Sequence, residues 1–96
     1  MAQASSEPTV GSAAATATLP SSVDLHARPA ADFVRAAMGF AASITVGAGD
    51  READAKSLLS VLALGAKAGT EIRLTATGGD AEAAVAAMRE RVTTLS

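Results

Sequence analysis

The chain of 96 residues contains no cysteine, no tryptophan and no tyrosine, only two phenylalanines and a single histidine. Without cysteine there is no disulfide and no thiolate metal ligand, which suits a reducing compartment. One histidine leaves no zinc set either, so no metal is expected. Aromatic residues are 2% of the chain, although apolar residues are 49%. The core must therefore be assembled from Ala, Leu, Val, Ile and Met plus two rings, with modest burial per residue and a modest stability margin. The net charge of −2 lacks the excess of positive charge that nucleic-acid binding requires. No apolar run is long enough to span a membrane, so no membrane insertion is expected. Residues 1–12 have neither the basic n-region nor the apolar h-region of a secretory signal. They are rich in Ala, Ser, Gly and Thr and read as a disordered N-terminal extension ahead of one domain over 13–96.

Within that domain the apolar spacing changes period several times. Ala13 to Leu19 alternates, with Ala15, Ala17 and Leu19 on one side, and Pro20 ends the strand. From Ala27 to about Met38, Ala30, Phe33, Val34 and Ala37 recur at helical spacing, and Gly39 is expected to stop the helix. Ala42–Gly47 reads as a strand with Ile44 and Val46 on one face. Gly49-Asp50 is a hairpin turn returning through Arg51–Ala55. Lys56–Leu64 is a short helix with too many apolar positions for one face, so some of Leu58, Leu59 and Leu62 must be exposed. Gly65 closes it and Gly69 turns the chain. Glu71–Thr77 alternates cleanly, with Ile72, Leu74 and Ala76 inside. After Gly78-Gly79, Asp80 is the expected N-cap of a final helix. Ala81, Val85, Met88, Val92 and Leu95 form the buried stripe of that helix. The order βαββαβα predicts an α+β domain, a mostly antiparallel sheet with helices on one face. The pattern alone does not separate this from a ferredoxin-like domain.

The chemistry concentrates at Leu25-His26-Ala27-Arg28-Pro29-Ala30-Ala31. Pro fits a first helical turn, where the N–H it lacks would have no partner. His26 is therefore placed at the N-terminus of a helix, where free backbone N–H groups and the positive dipole end favour anions and a neutral, nucleophilic imidazole. Backbone N–H groups near Ala27 and Arg28, with the planar guanidinium of Arg28, are suited to hold a phosphate.

This segment resembles the phosphorylation site of the histidine-containing phosphocarrier (HPr) family of the bacterial sugar phosphotransferase system. Lys56-Ser57-Leu58 followed by Leu64-Gly65, and Gly69-Thr70-Glu71-Ile72, are similar to further segments of that family. The spacing between them fits without gaps from Thr16 to the C-terminus. The resemblance implies an open-faced β-sandwich of four antiparallel strands with three helices on one face. It implies a carrier rather than an enzyme, with no cofactor, acting in the cytoplasm as a monomer. His26 would be phosphorylated on Nδ1 by enzyme I, charged from phosphoenolpyruvate, and would pass the group to enzyme IIA proteins. Arg28 would stabilise the phosphate, as would the N–H of Ala27. Ala31, Arg35, Leu58 and Leu59 would form the docking face, and Ser57 would be a regulatory phosphosite for a serine kinase. By its position, Ser57 is equally suited to be a plain helix N-cap.

Three positions depart from the family pattern. Asp24 stands where Gly is common, Val23 where a small polar residue is common, and Met38 where a basic residue is common on the docking face. The charge of Asp24 would repel a phosphorylated His26 unless its carboxylate points away or orients the ring. Other functions compatible with these residues are an HPr-like regulatory or protein-interaction module, or a carrier for a nitrogen-linked or dihydroxyacetone-kinase branch.

Overall fold

The computed structural model describes residues 11–96. The extension expected over 1–12 falls almost wholly outside them. Four strands, β1 (Ser12–Thr18), β2 (Ser43–Ala48), β3 (Arg51–Asp54) and β4 (Glu71–Thr77), alternate with three helices, α1 (Ala27–Ala37), α2 (Leu58–Leu64) and α3 (Ala81–Thr94). The strands form one antiparallel sheet in the order β1-β4-β2-β3. This is the expected α+β architecture, an open sheet with three helices.

The alternation read from the sequence sets the two sheet faces. Ala17, Ile72, Leu74, Ala76, Ile44, Val46 and Ala53 are buried towards the helices. In register with one another on the opposite face stand Thr16, Arg73, Gly47 and Glu52, and beside them Ala14, Thr75, Thr45 and Asp54. The helices contribute Ala30, Phe33, Val34 and Ala37 from α1, Val61 and Leu64 from α2, and Ala81, Ala84, Val85, Met88 and Val92 from α3. Among the described residues no polar or charged side chain is buried. Alanine is the commonest core residue, so Phe33 is the bulkiest fully buried side chain in a core of otherwise small and aliphatic groups.

The turns show where local signals and long-range contacts compete. Gly49, at φ 61, opens the two-residue turn that pairs Ala48 with Arg51, as expected. Gly65 ends α2 in the left-handed conformation at φ 67. Gly39 does not end α1 that way. Met38 is the C-cap in ordinary right-handed geometry, and the Gly39 N–H donates to the Ala36 carbonyl at 3.1 Å, so the last turn tightens instead.

Asp80 is the N-cap residue of α3, as expected, but its side chain makes no capping bond. Its carboxylate instead accepts the N–H of Ala41 at 2.9 Å and of Ala42 at 2.8 Å, holding the α1–β2 loop against the start of α3. Those amide bonds, the Ala41 bond first, hold its carboxyl below the ordinary value of 3.8. The same loop is gripped from the other side, where Lys56 Nζ donates to the Phe40 carbonyl at 2.6 Å. Gly78 lies so close to Ala42 that a Cβ there would stand 2.8 Å from its Cα. Glycine is required at that position.

Candidate functional site

His26 is the N-cap residue of α1, in extended geometry at φ −111, and its side chain makes no capping hydrogen bond. The first intrahelical bond runs from the Ala30 N–H to the His26 carbonyl at 2.7 Å. Pro29 is the third residue of the helix and has no N–H to offer. The amides of Ala27 and Arg28 are left with no acceptor among the described residues. Helix starts leave such donors free as a rule, and here they open beside an exposed imidazole. The Arg28 side chain is exposed as well, and no ion pair or hydrogen bond holds it among the described residues. An exposed imidazole, two free amides and a free guanidinium thus share one helix end. Chemically this arrangement can present a nucleophilic nitrogen to an incoming anion and stabilise charge on three oxygens.

The loop before His26 is fixed by packing and by backbone bonds. Val23 and Leu25 are buried, which explains why an apolar residue at 23 is tolerated: it is a core residue. The Leu25 N–H donates to the Ala66 carbonyl at 2.9 Å, and the His26 N–H to the Asp24 carbonyl at 2.9 Å. The carboxylate of Asp24 is engaged by the Ala68 N–H, which it accepts at 2.6 Å.

Shallow open depressions flank His26 on two sides. Asp24 borders both. One is lined by Arg28, Pro29, Val23 and Ser96, the other by Leu62, Gly65, Ala66 and Lys67. Neither is a closed pocket. Lys67 was not among the residues singled out from the sequence. It sits in a Gly-Ala-Lys-Ala-Gly turn that carries no local chemical signal, and only the fold brings it to His26.

The residues expected to dock a partner lie on α1, with Ala31 in its middle and Arg35 in its last turn, and on α2, where Leu58 and Leu59 open the helix. α1 packs beside α2. Leu59 is 80% exposed and Leu58 40%, while Leu62 is half-buried against the core. Leu58 and Leu59 lie four and three residues before Leu62, hence on its side of the helix. An apolar stripe therefore runs from Leu59 to the rim of the His26 depression. Met38, 65% exposed, completes the large apolar side chains left open among the described residues. Ala31 is half-buried on α1 and Arg35 is exposed. Arg35 pairs only loosely with Asp32 at 4.0 Å, because Asp32 faces Arg91 of α3 at 3.3 Å. Ser57 is the N-cap of α2, and its hydroxyl accepts the Ser60 N–H at 3.3 Å. No group of metal-ligating side chains occurs among the described residues, and no described helix is long and apolar enough to cross a membrane.

A sequence model of the family described as "PTS HPr component phosphorylation site" matches residues 13–94. The chain is 37% identical over 75 residues to the phosphocarrier protein HPr of Mycoplasma capricolum, covering 78% of this chain and 84% of that one. It is 49% identical over 65 residues to a multiphosphoryl transfer protein of Xanthomonas campestris, covering 68% of this chain but only 8% of that much longer protein. Among solved structures, the phosphocarrier protein HPr of Bacillus anthracis superposes with a TM-score of 0.81 at 32% identity, covering 85% of this chain and 98% of that one.

Proposed function

The chain belongs to the HPr phosphocarrier family of the phosphotransferase system, and on that premise we propose that it accepts a phosphoryl group on His26 from phosphorylated enzyme I and delivers it to enzyme IIA proteins. The observation that carries this reading is the helix end itself. An exposed histidine without a side-chain partner stands beside the free amides of Ala27 and Arg28 and the unpaired Arg28 guanidinium.

In the forward step the lone pair of His26 Nδ1 attacks the phosphorus of the donor phosphohistidine. The P–N bond to the donor ring, protonated at its other nitrogen, breaks as the new P–N bond forms. Its electron pair returns to the donor ring, which leaves as neutral imidazole. The positive ring charge passes to His26, whose remaining N–H can lose its proton to water. Transfer of this kind depends on positioning and on stabilising charge on the phosphoryl oxygens. The two amides and Arg28 supply that stabilisation. The second transfer reverses the geometry, with an acceptor histidine attacking from the partner side. An open site serves both steps, because each partner must bring its own histidine to the same phosphorus.

Leu58 and Leu59, with Ala31 and Arg35, form the docking face, and the protein works as a cytoplasmic monomer meeting one partner at a time. Phosphorylation of Ser57 by a serine kinase would place about two negative charges next to Leu58, opposing an acidic partner without breaking the cap.

Incubation with enzyme I and phosphoenolpyruvate, followed by mass measurement, tests the assignment. One acid-labile phosphoryl group is expected on the wild type and none on His26→Ala, whose fold should be unchanged because the ring supports nothing. Labelling that persists in His26→Ala ends the reading.

A further inference from the structure

His26 inherits its orientation from its neighbours in the chain, since its ring makes no hydrogen bond among the described residues. Those neighbours are joined to one distant segment by a ladder of bonds. The Leu19 N–H donates to Thr70, the Gly69 N–H to Pro20, the Ala68 N–H to the Asp24 carboxylate and the Leu25 N–H to Ala66. Three of these are backbone pairs. The fourth, at 2.6 Å, depends on one side chain, that of Asp24. It is the side-chain anchor nearest to His26 on the N-terminal side.

The two bonds closest to the site, at Ala66 and Ala68, bracket Lys67. Lys67 is exposed and borders the depression on one side of His26, while Arg28 borders the depression on the other. No ion pair or hydrogen bond occupies the Lys67 ammonium among the described residues. A phosphoryl group on His26 would carry close to two negative charges and would stand between these two cations. The Asp24 carboxylate would be a repulsive charge in the neighbourhood, and its bond to the Ala68 amide engages one of its oxygens.

We propose that Asp24 is a positioning residue whose carboxylate clamps the His26 loop to the 66–69 turn, and that this clamp sets Lys67 beside the phosphoryl group as a second cation facing Arg28. The inference rests on His26 being the phosphoryl acceptor. Arg28 rides on the helix that carries His26. Lys67 comes from a segment far away in sequence, so its placement depends on the clamp. The same negative charge that would oppose phosphorylation if free thus organises the site when bound.

The test combines Asp24→Ala, Asp24→Asn and Lys67→Gln with a double variant. His26 phosphorylation is followed with phosphoramidate, which needs no protein partner, and with enzyme I plus phosphoenolpyruvate. Asp24→Ala removes the acceptor and should slow both reactions by about tenfold or more, the scale on which small misplacements act. Asp24→Asn keeps an oxygen for the Ala68 N–H and should retain most of the rate. Amide hydrogen exchange at Ala68 should be fast in Asp24→Ala and slow in Asp24→Asn. Lys67→Gln should slow transfer in the wild-type background and add little in Asp24→Ala, because the clamp that places the ammonium is already gone. Wild-type rates in Asp24→Ala, equal loss in Asp24→Asn, or effects of Asp24→Ala and Lys67→Gln that simply multiply would each overturn the proposal. A wild-type chain that neither reagent phosphorylates would instead overturn the phosphocarrier reading, a result distinct from a loss confined to the variants.

Discussion

Replacing Arg28 by Ala separates holding a phosphate from holding the fold. Arg28 is exposed at the second position of α1, and its guanidinium has no partner among the described residues. Its removal breaks no contact and leaves no buried group unsatisfied, so unfolding free energy should change by no more than about 0.5 kcal/mol. Phosphoryl transfer should respond differently. A hydrogen bond from a charged donor to a phosphate oxygen is worth about 1.5–3 kcal/mol, which corresponds to a rate loss of roughly tenfold to 150-fold. The free amides of Ala27 and Arg28 survive the substitution and keep the loss from exceeding that range. Arg28→Lys restores the charge but not the planar fork, and should recover part of the rate. Rapid-quench measurement of transfer from phosphorylated enzyme I, beside urea unfolding followed by circular dichroism, reads both quantities. Unchanged transfer in Arg28→Ala would show that the amides suffice and would refute the role given to the guanidinium.

Leu59→Glu should weaken enzyme I binding by about tenfold or more, as loss of an apolar anchor does, with native unfolding behaviour because Leu59 is 80% exposed; calorimetric titration checks it, and unfolding would mean that this leucine belongs to the core. Phe33→Ala should cost about 3–5 kcal/mol, since Phe33 is 1% exposed among residues too small to fill the void; the urea midpoint should fall with little change in slope. For Asp80, a folded-state value held below 3.8 by the Ala41 and Ala42 amides means that its contribution is complete above the unfolded-state value and is lost as pH falls through the lower folded one. The stability gap between wild type and Asp80→Asn, read from urea midpoints at descending pH, should therefore narrow in acid, and a constant gap would contradict the assignment.

What could be read from the sequence was what is decided locally. The alternation of Ile72, Leu74 and Ala76, the helical spacing of Ala30, Phe33, Val34 and Ala37, and the turn at Gly49-Asp50 all specify geometry within a few residues, and each is found in the structure. His26 at a helix start followed from Pro29 in the same way. The departures come where distant segments compete for a polar group. Asp80 has the right type and position to cap α3, but the unpaired amides of Ala41 and Ala42 lie within its reach and take both its oxygens. Gly39 invites a left-handed helix end, yet the chain tightens at Ala36 because the following residues are held by Asp80 and Lys56. Lys67 and the Ala68 amide had no signal at all. Their relation to His26 exists only once the 66–69 turn is laid against the loop at 19–25.

The pairing of β1 with β4 bears on when a chain becomes competent. Ser12 faces Thr77 and Thr18 faces Glu71, so nearly the whole domain must be synthesised before this strand pair can close. Contacts so remote in sequence are slow to form, because loop-closure entropy opposes them until they are made. The β2–β3 hairpin, joined by two residues, faces no such delay. The bonds that set the His26 loop, from Leu19 to Thr70 and from Leu25 to Ala66, continue the same remote pairing beyond the ends of β1 and β4. His26 is thus made early on the ribosome but acquires its surroundings late, with the final closure of the sheet. A nascent or truncated chain can therefore expose the histidine without the bonds that set its loop.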